Sequence, residues 1–126
     1  MKKILIVDDE KTTAAGVKDF LEATGLYQVQ IEQDGRRAVE SARSFGPDLI
    51  LLDVIMPFLD GTEVAGRLAK DPVCKTIPII FLTSLLTPKE AADQKGRIGG
   101  RAFIAKPVTA DELVRRVAEQ LEKSRK

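Results

Sequence analysis

Ile4-Leu5-Ile6-Val7-Asp8-Asp9-Glu10 is the stretch on which the fold turns: four apolar residues, then three acids. An unbroken apolar run this short, closed by charge, reads as a β-strand covered on both faces. Leu49–Leu52, Ile77–Leu82 and Ala102–Ala105 repeat the signature. A fifth run differs, because Tyr27, Val29 and Ile31 alternate with Gln28, Gln30 and Glu32. Alternation gives a strand one wetter face and places it most simply at a sheet edge.

Between these runs the period becomes helical. Ala14, Val17 and Leu21 share a face ahead of Gly25, and Ala38, Ala42 and Phe45 do so ahead of Gly46-Pro47. A third helix is expected from Asp60-Gly61 to Lys70-Asp71-Pro72. Thr87-Pro88-Lys89-Glu90 and Thr109-Ala110-Asp111-Glu112 are capping boxes that open a fourth and a fifth, the last with Leu113, Val117 and Leu121 on one side. Strand–helix alternation throughout predicts an α/β fold: a doubly wound parallel sheet of five strands with five helices on its two faces. The 126 residues are expected to form one domain, residues 1–126.

Composition removes several functions. Twenty Lys and Arg against nineteen Asp and Glu leave +1, no bulk positive field for nucleic acid. Histidine is absent, which excludes a Ser-His-Asp or Cys-His centre, an HExxH zinc site and a phosphohistidine on this chain. One cysteine, Cys74, permits no intrachain disulfide and fits a reducing, cytoplasmic setting. No apolar run approaches the roughly 18 residues of a membrane span. Met1-Lys2-Lys3 with the short run after it is no export signal, since three acids end it. Gly96-Arg97-Ile98-Gly99-Gly100 leads from helix to strand, the reverse of a phosphate-binding loop, and reads as a turn.

The polar residues that remain fall at the carboxyl ends of strands. Asp8 and Asp9 follow Val7, Asp53 follows Leu52, Thr83 and Ser84 close the fourth run, and Lys106 closes the fifth. In an open parallel sheet these ends share one edge, where ligands bind. Three carboxylates and one ammonium sum to −2, and two like charges about 4 Å apart repel by ~4 kcal/mol at an effective dielectric near 20. A divalent cation relieves that repulsion, and few protein oxygens completed by water suit Mg²⁺. Singly each residue has a plainer reading: Asp9 or Glu10 as a helix cap, Lys106 as a turn lysine, Thr83 as a strand end. Five such residues on four strand ends are poorly explained by chance.

ILIVDDE at 4–10, LILLDVIMP at 49–57, Asp60-Gly61, LTS at 82–84 and AFIAKP at 102–107 resemble the receiver domain of two-component response regulators. Spacing agrees, with 45 residues from Asp8 to Asp53 and 30 from Asp53 to Thr83. The resemblance spans essentially the whole chain and implies a flavodoxin-like strand order 2-1-3-4-5. It implies that Asp53 accepts the phosphoryl group. Asp9, Asp53 and the backbone carbonyl of Ile55 would ligate Mg²⁺, and Asp8 would act through a bound water. Thr83 and Lys106 would hold phosphoryl oxygens, Pro107 would follow a cis peptide, and Phe103 would be the aromatic switch. Implied partners are a histidine kinase or histidine phosphotransfer protein and a downstream protein target, with neither nucleic acid nor membrane. The implied output surface is the fourth helix, fifth strand and fifth helix.

This sequence also departs from the family. Ile55 stands two residues after Asp53 and Leu85 two after Thr83, where polar residues are common, so access of hydrolytic water should be hindered. Gly99-Gly100-Arg101-Ala102 replaces the usual approach to the fifth strand, and the expected change falls on the fourth helix and its loop. The tail from Arg115, with five basic and two acidic residues, reads as a solvated helix end. Past the last helix no output domain is expected, as in a stand-alone regulator or a receiver from a larger protein. Two other classes share these residues: a small Mg²⁺-dependent phosphatase working through an aspartyl-phosphate, and an interaction module never phosphorylated. Ile55 stands where that phosphatase would need a second acid.

Overall fold

A computed structural model describes residues 1–87, 89–90, 97–98 and 101–123. Its strands and helices alternate as far as β4, as the hydropathy periods do, and the described elements in chain order are β1 (Lys2–Val7), α1 (Lys11–Glu22), β2 (Tyr27–Glu32), α2 (Ala38–Phe45), β3 (Leu49–Asp53), α3 (Gly61–Lys70), β4 (Ile79–Thr83), β5 (Arg97–Ile98), β6 (Arg101–Ala105) and α4 (Ala110–Lys123). A single 3₁₀ turn, Gly35–Arg37, precedes α2.

The sheet runs β2-β1-β3-β4-β6-β5. Its first five members are parallel and reproduce the expected order 2-1-3-4-5, counting β6 as the fifth parallel strand. β5 is an addition. Within the segment read as a plain turn, Arg97 pairs with Ala102 and Ile98 with Arg101 antiparallel, which adds a short strand beside β6. β2 lies at the opposite edge and shows the exposure alternation of its sequence.

Helices cover both faces. Ala14, Val17 and Leu21 of α1 and Leu113 and Val117 of α4 pack with Ile4, Ile6, Leu49, Leu51, Ile80 and Leu82. Ala38, Ala42, Val64 and Leu68 of α2 and α3 pack with Leu5, Val7, Ile50, Leu52 and Phe81. Each fully buried Leu or Ile contributes roughly 1.5–3 kcal/mol through its removal from water, which is why the continuous runs cannot shift register without large loss. Cys74 fills space in the second layer. The helix ends are as read: Gly46 caps α2 in the left-handed conformation, Asp60 Oδ1 accepts from Glu63 N–H at the start of α3, and Thr109 Oγ1 accepts from Glu112 N–H. The Thr87–Glu90 box is reciprocal, with bonds of 3.0 and 3.1 Å. The body of the helix it opens lies outside the described residues, which hold four α-helices of the five expected.

Candidate phosphoacceptor site

At three strand ends of the site, one backbone bond carries the sheet ladder a step past the strand. Asp8 N–H donates to the Glu32 carbonyl, Val54 N–H to Leu82 and Lys106 N–H to Thr83. Asp53 is itself the last residue of β3. The start of α3 seats it from the other side. Gly61 N–H donates to the Val54 carbonyl at 2.7 Å, and a Cβ on Gly61 would stand 2.2 Å from the Asp53 carbonyl oxygen. Only glycine fits so close to that backbone.

Four of the residues singled out in the sequence converge. Carboxylate oxygens of Asp8, Asp9 and Asp53 lie within 4.8 Å of one another. Lys106 Nζ reaches Asp8 Oδ2 at 3.2 Å and Asp53 Oδ1 at 3.3 Å. Asp8 and Asp53 are buried and Asp9 is exposed, so the cluster opens to solvent on one side. Asp8 also accepts from Glu10 N–H through its other oxygen, which fixes the acid at the entry to α1. The helix-cap reading goes to Glu10 by position, although its carboxylate bonds Thr13 Oγ1 and caps no backbone amide. Lys106 precedes a cis peptide to Pro107.

Charge in this cluster is unbalanced. Burial, then the neighbouring Asp8, raise the Asp53 pKa from 3.8 to about 6, against which Lys106 works only in part. Burial opposes the charge on Lys106, yet Asp8 and Asp53 outweigh it and its pKa rises. The donors fit a small hard cation. Oxygens on opposite sides of a bound Mg²⁺ stand about 4 Å apart, close to the spread of the three carboxylates. The cluster can therefore hold a divalent metal without rearrangement of the sheet.

Thr83 does not join the cluster. It is buried at the end of β4 and its hydroxyl oxygen accepts from Leu85 N–H at 3.0 Å; its carbonyl receives Lys106 N–H, but among the described residues no hydrogen bond of its side chain reaches Asp53 or Lys106. Ser84 is the residue of that pair that lines the cleft over Asp53. Phe103 sits opposite Phe81 in register and stacks on it, with centroids 5.1 Å apart and planes at 22°. Ile55 and Leu85 are exposed, at 54% and 65%.

Sequence reasoning left α1 as a core helix and missed its outer role. A cleft of about 910 Å³ runs from Asp53 and Lys106 along Thr13, Gly16 and Phe20, with Val108 on its far wall. The signal was present in the helical spacing of positions 13, 16 and 20, which lie beside the core stripe rather than on it.

The response regulator receiver domain pattern matches residues 4–118. The chain is 34% identical to protein PilH of Pseudomonas aeruginosa over 117 residues, 93% of this chain and 95% of that one. It is 31% identical to the polar-differentiation response regulator DivK of Brucella anthropi, over 95% and 96% of the two chains. The signal receiver domain of a signal transduction histidine kinase from Syntrophus aciditrophicus superposes with a TM-score of 0.80 at 37% identity, covering 98% and 92%. The chain belongs to the response regulator receiver domain family. It is a phosphoacceptor switch of two-component signalling, a non-enzymatic domain class whose members bind Mg²⁺ in general.

Proposed function

We propose that Asp53 is the phosphoacceptor and that Asp8, Asp9 and Asp53 form the Mg²⁺ site of this chain. The observation that carries the reading is the approach of three carboxylates within 4.8 Å of one another, with Lys106 bonded to two of them. An Asp53 oxygen attacks phosphorus in line. The new oxygen–phosphorus bond forms as the bond from phosphorus to the donor's imidazole nitrogen breaks, and the electron pair leaves with the imidazole. With a pKa near 6, Asp53 is mostly ionised at neutral pH and can act as the nucleophile. Asp9, Asp53 and the Ile55 carbonyl would hold Mg²⁺, with Asp8 acting through a bound water, and the ion would supply positive charge to the transferring group.

Lys106 then exchanges part of its contact with Asp53 for a phosphoryl oxygen. Thr83 donates to another: its oxygen is already engaged by Leu85 N–H, which leaves the hydroxyl proton for this role. Movement of Thr83 frees space that Phe103 follows, shifting a two-state equilibrium over the surface of β6, α4 and the helix opened at Thr87. The donor is a histidine kinase or histidine phosphotransfer protein, and the open cleft along α1 supports this by giving a partner helix room beside Asp53. A downstream protein reads the shifted surface. A cytoplasmic location accompanies the proposal, supported by a single, buried thiol.

Ile55 lines the cleft with an apolar side chain, Leu85 stands exposed two residues after Thr83, and the phosphoaspartate is expected to be long-lived. Label lost from purified phosphoprotein within seconds contradicts this. Incubation with acetyl phosphate and Mg²⁺, read by intact mass, tests the whole reading. A stable adduct of one phosphoryl group supports it, turnover of phosphate esters without an adduct points to an enzyme, and an unchanged mass overturns phosphotransfer to Asp53.

A further inference from the structure

Seven residues join Asp53 to α3, and one of them has an unusual conformation. Phe58 is the sole non-glycine residue of positive φ among the described residues, at +69°, and the residue as a whole is 81% exposed. Leu59 N–H donates to the Pro57 carbonyl across it at 2.8 Å, closing a three-residue γ-turn of the rarer, strained hand. A bulky side chain in this region is an outlier that persists only where its surroundings hold it. Here the holding groups are visible. The Arg36 guanidinium stands 4.3 Å from the Phe58 ring centroid. Arg36 is fixed in turn by Asp34, with Nη2 to Oδ2 at 2.9 Å and Nε to Oδ1 at 3.0 Å, while Asp34 Oδ1 also accepts from Arg36 N–H. Beneath it Gly35 lies against the same loop, with its Cβ position 3.2 Å from the Leu59 carbonyl oxygen and from Met56 Cε.

We propose that Arg36, anchored by Asp34 and stacked on Phe58, is a positioning residue that fixes the course of the loop from Asp53 to Gly61 and thereby strengthens Mg²⁺ binding. This rests on the metal reading above, because the loop carries Ile55. The physical reason is preorganisation: a loop already held in the binding conformation spends less of the binding energy on becoming ordered. Nothing in the proposal requires Arg36 to touch the metal or the phosphoryl group.

Mg²⁺ affinity by calorimetry, together with amide hydrogen exchange of the metal-free protein, tests it on the wild type, Arg36→Ala, Phe58→Leu, the double variant and Phe58→Tyr. Loss of an exposed cation–ring contact converts to about two- to five-fold weaker Mg²⁺ binding in each of the first two variants. Their Leu59 and Gly61 amides should exchange faster by a similar factor, before any metal is added. The double variant should be no weaker than either single one, since both remove the same contact. Phe58→Tyr keeps the ring and should bind as the wild type does. A wild type that binds Mg²⁺ alongside variants of equal affinity, or losses that simply add, overturns the positioning role of Arg36 alone. A wild type that ignores Mg²⁺ overturns the metal reading and this extension of it, and unchanged exchange at Leu59 and Gly61 then removes the hold of Arg36 on the loop as well.

Discussion

Asp53 and Asp71 are both buried aspartates that end an element of this fold, yet their environments push them in opposite directions. Asp71 closes α3, where Arg43 Nη2 approaches its Oδ2 at 2.6 Å and the Val73 and Cys74 N–H groups donate to Oδ1. Its pKa falls to about 2, chiefly through Arg43, against burial. Asp53 faces Asp8 across a shared lysine, and its pKa climbs to about 6, chiefly through burial. One carboxylate has its charge matched within the fold. The other is left wanting positive charge, which only a ligand from outside can supply. The contrast separates an acid whose charge is matched inside the fold from one whose charge is not, the kind of perturbed group that marks a candidate site.

The largest test of that contrast is Asp53→Asn, which should abolish labelling by acetyl phosphate while Asp71→Asn leaves it within about two-fold. Stability should invert the ranking. In metal-free protein at neutral pH, Asp53→Asn is expected to gain about 1–2 kcal/mol, less than the full worth of the shift because water and Lys106 screen the charge. Asp71→Asn should lose stability, seen as a lower denaturant midpoint. A stabilised Asp71→Asn or a destabilised Asp53→Asn breaks the comparison.

Next in size, Lys106→Met should slow labelling about 10²-fold, the usual cost of removing one charge aimed at a transition state. Gly61→Ala should destabilise by about 3 kcal/mol or more, because a methyl group cannot share space with the Asp53 carbonyl. Denaturant midpoints of both variants, with labelling rates of the first, check these values.

The pH profile sharpens the comparison further. Asp71, lowered in the fold, contributes stability that is present above the ordinary carboxylate value and is lost as pH falls through about 2. Asp53, raised in the fold, contributes in the other sense: its stabilisation is full below 3.8 and is lost as pH rises through about 6. Unfolding midpoints measured without metal should therefore rise from pH about 2 to 4 and decline from about 4 to 6. The smallest expected effect is the disappearance of that decline on adding millimolar Mg²⁺ or in Asp53→Asn. A decline that survives both would mean that another group carries it.

Much of this was legible along the chain. Continuous runs at 4–7 and 49–52 and the alternating run at 27–32 announce strands covered on both faces and one at an edge, because strand burial follows a period of two. Asp8, Asp53 and Lys106 stand out for the same reason: each interrupts an apolar run at its carboxyl end. Thr83 belongs to that pattern too, yet it is sealed beneath the cleft with its oxygen bonded to Leu85. Neither that, the Phe81–Phe103 stack, nor the pairing of Arg97–Ile98 with β6 has a signature in local periodicity.

Sequence alone determined the order of strands and helices and the chemical groups delivered to the carboxyl edge of the sheet, since both are written in short-range period and strand ends. Tertiary structure alone decided which acid is matched and which is left short of charge. Arg43 and Asp71 are 28 residues apart, and Lys106 and Asp8 are 98 apart. Coulomb energy depends on distances of a few ångströms between such groups, and those distances exist only once register and helix packing have been set.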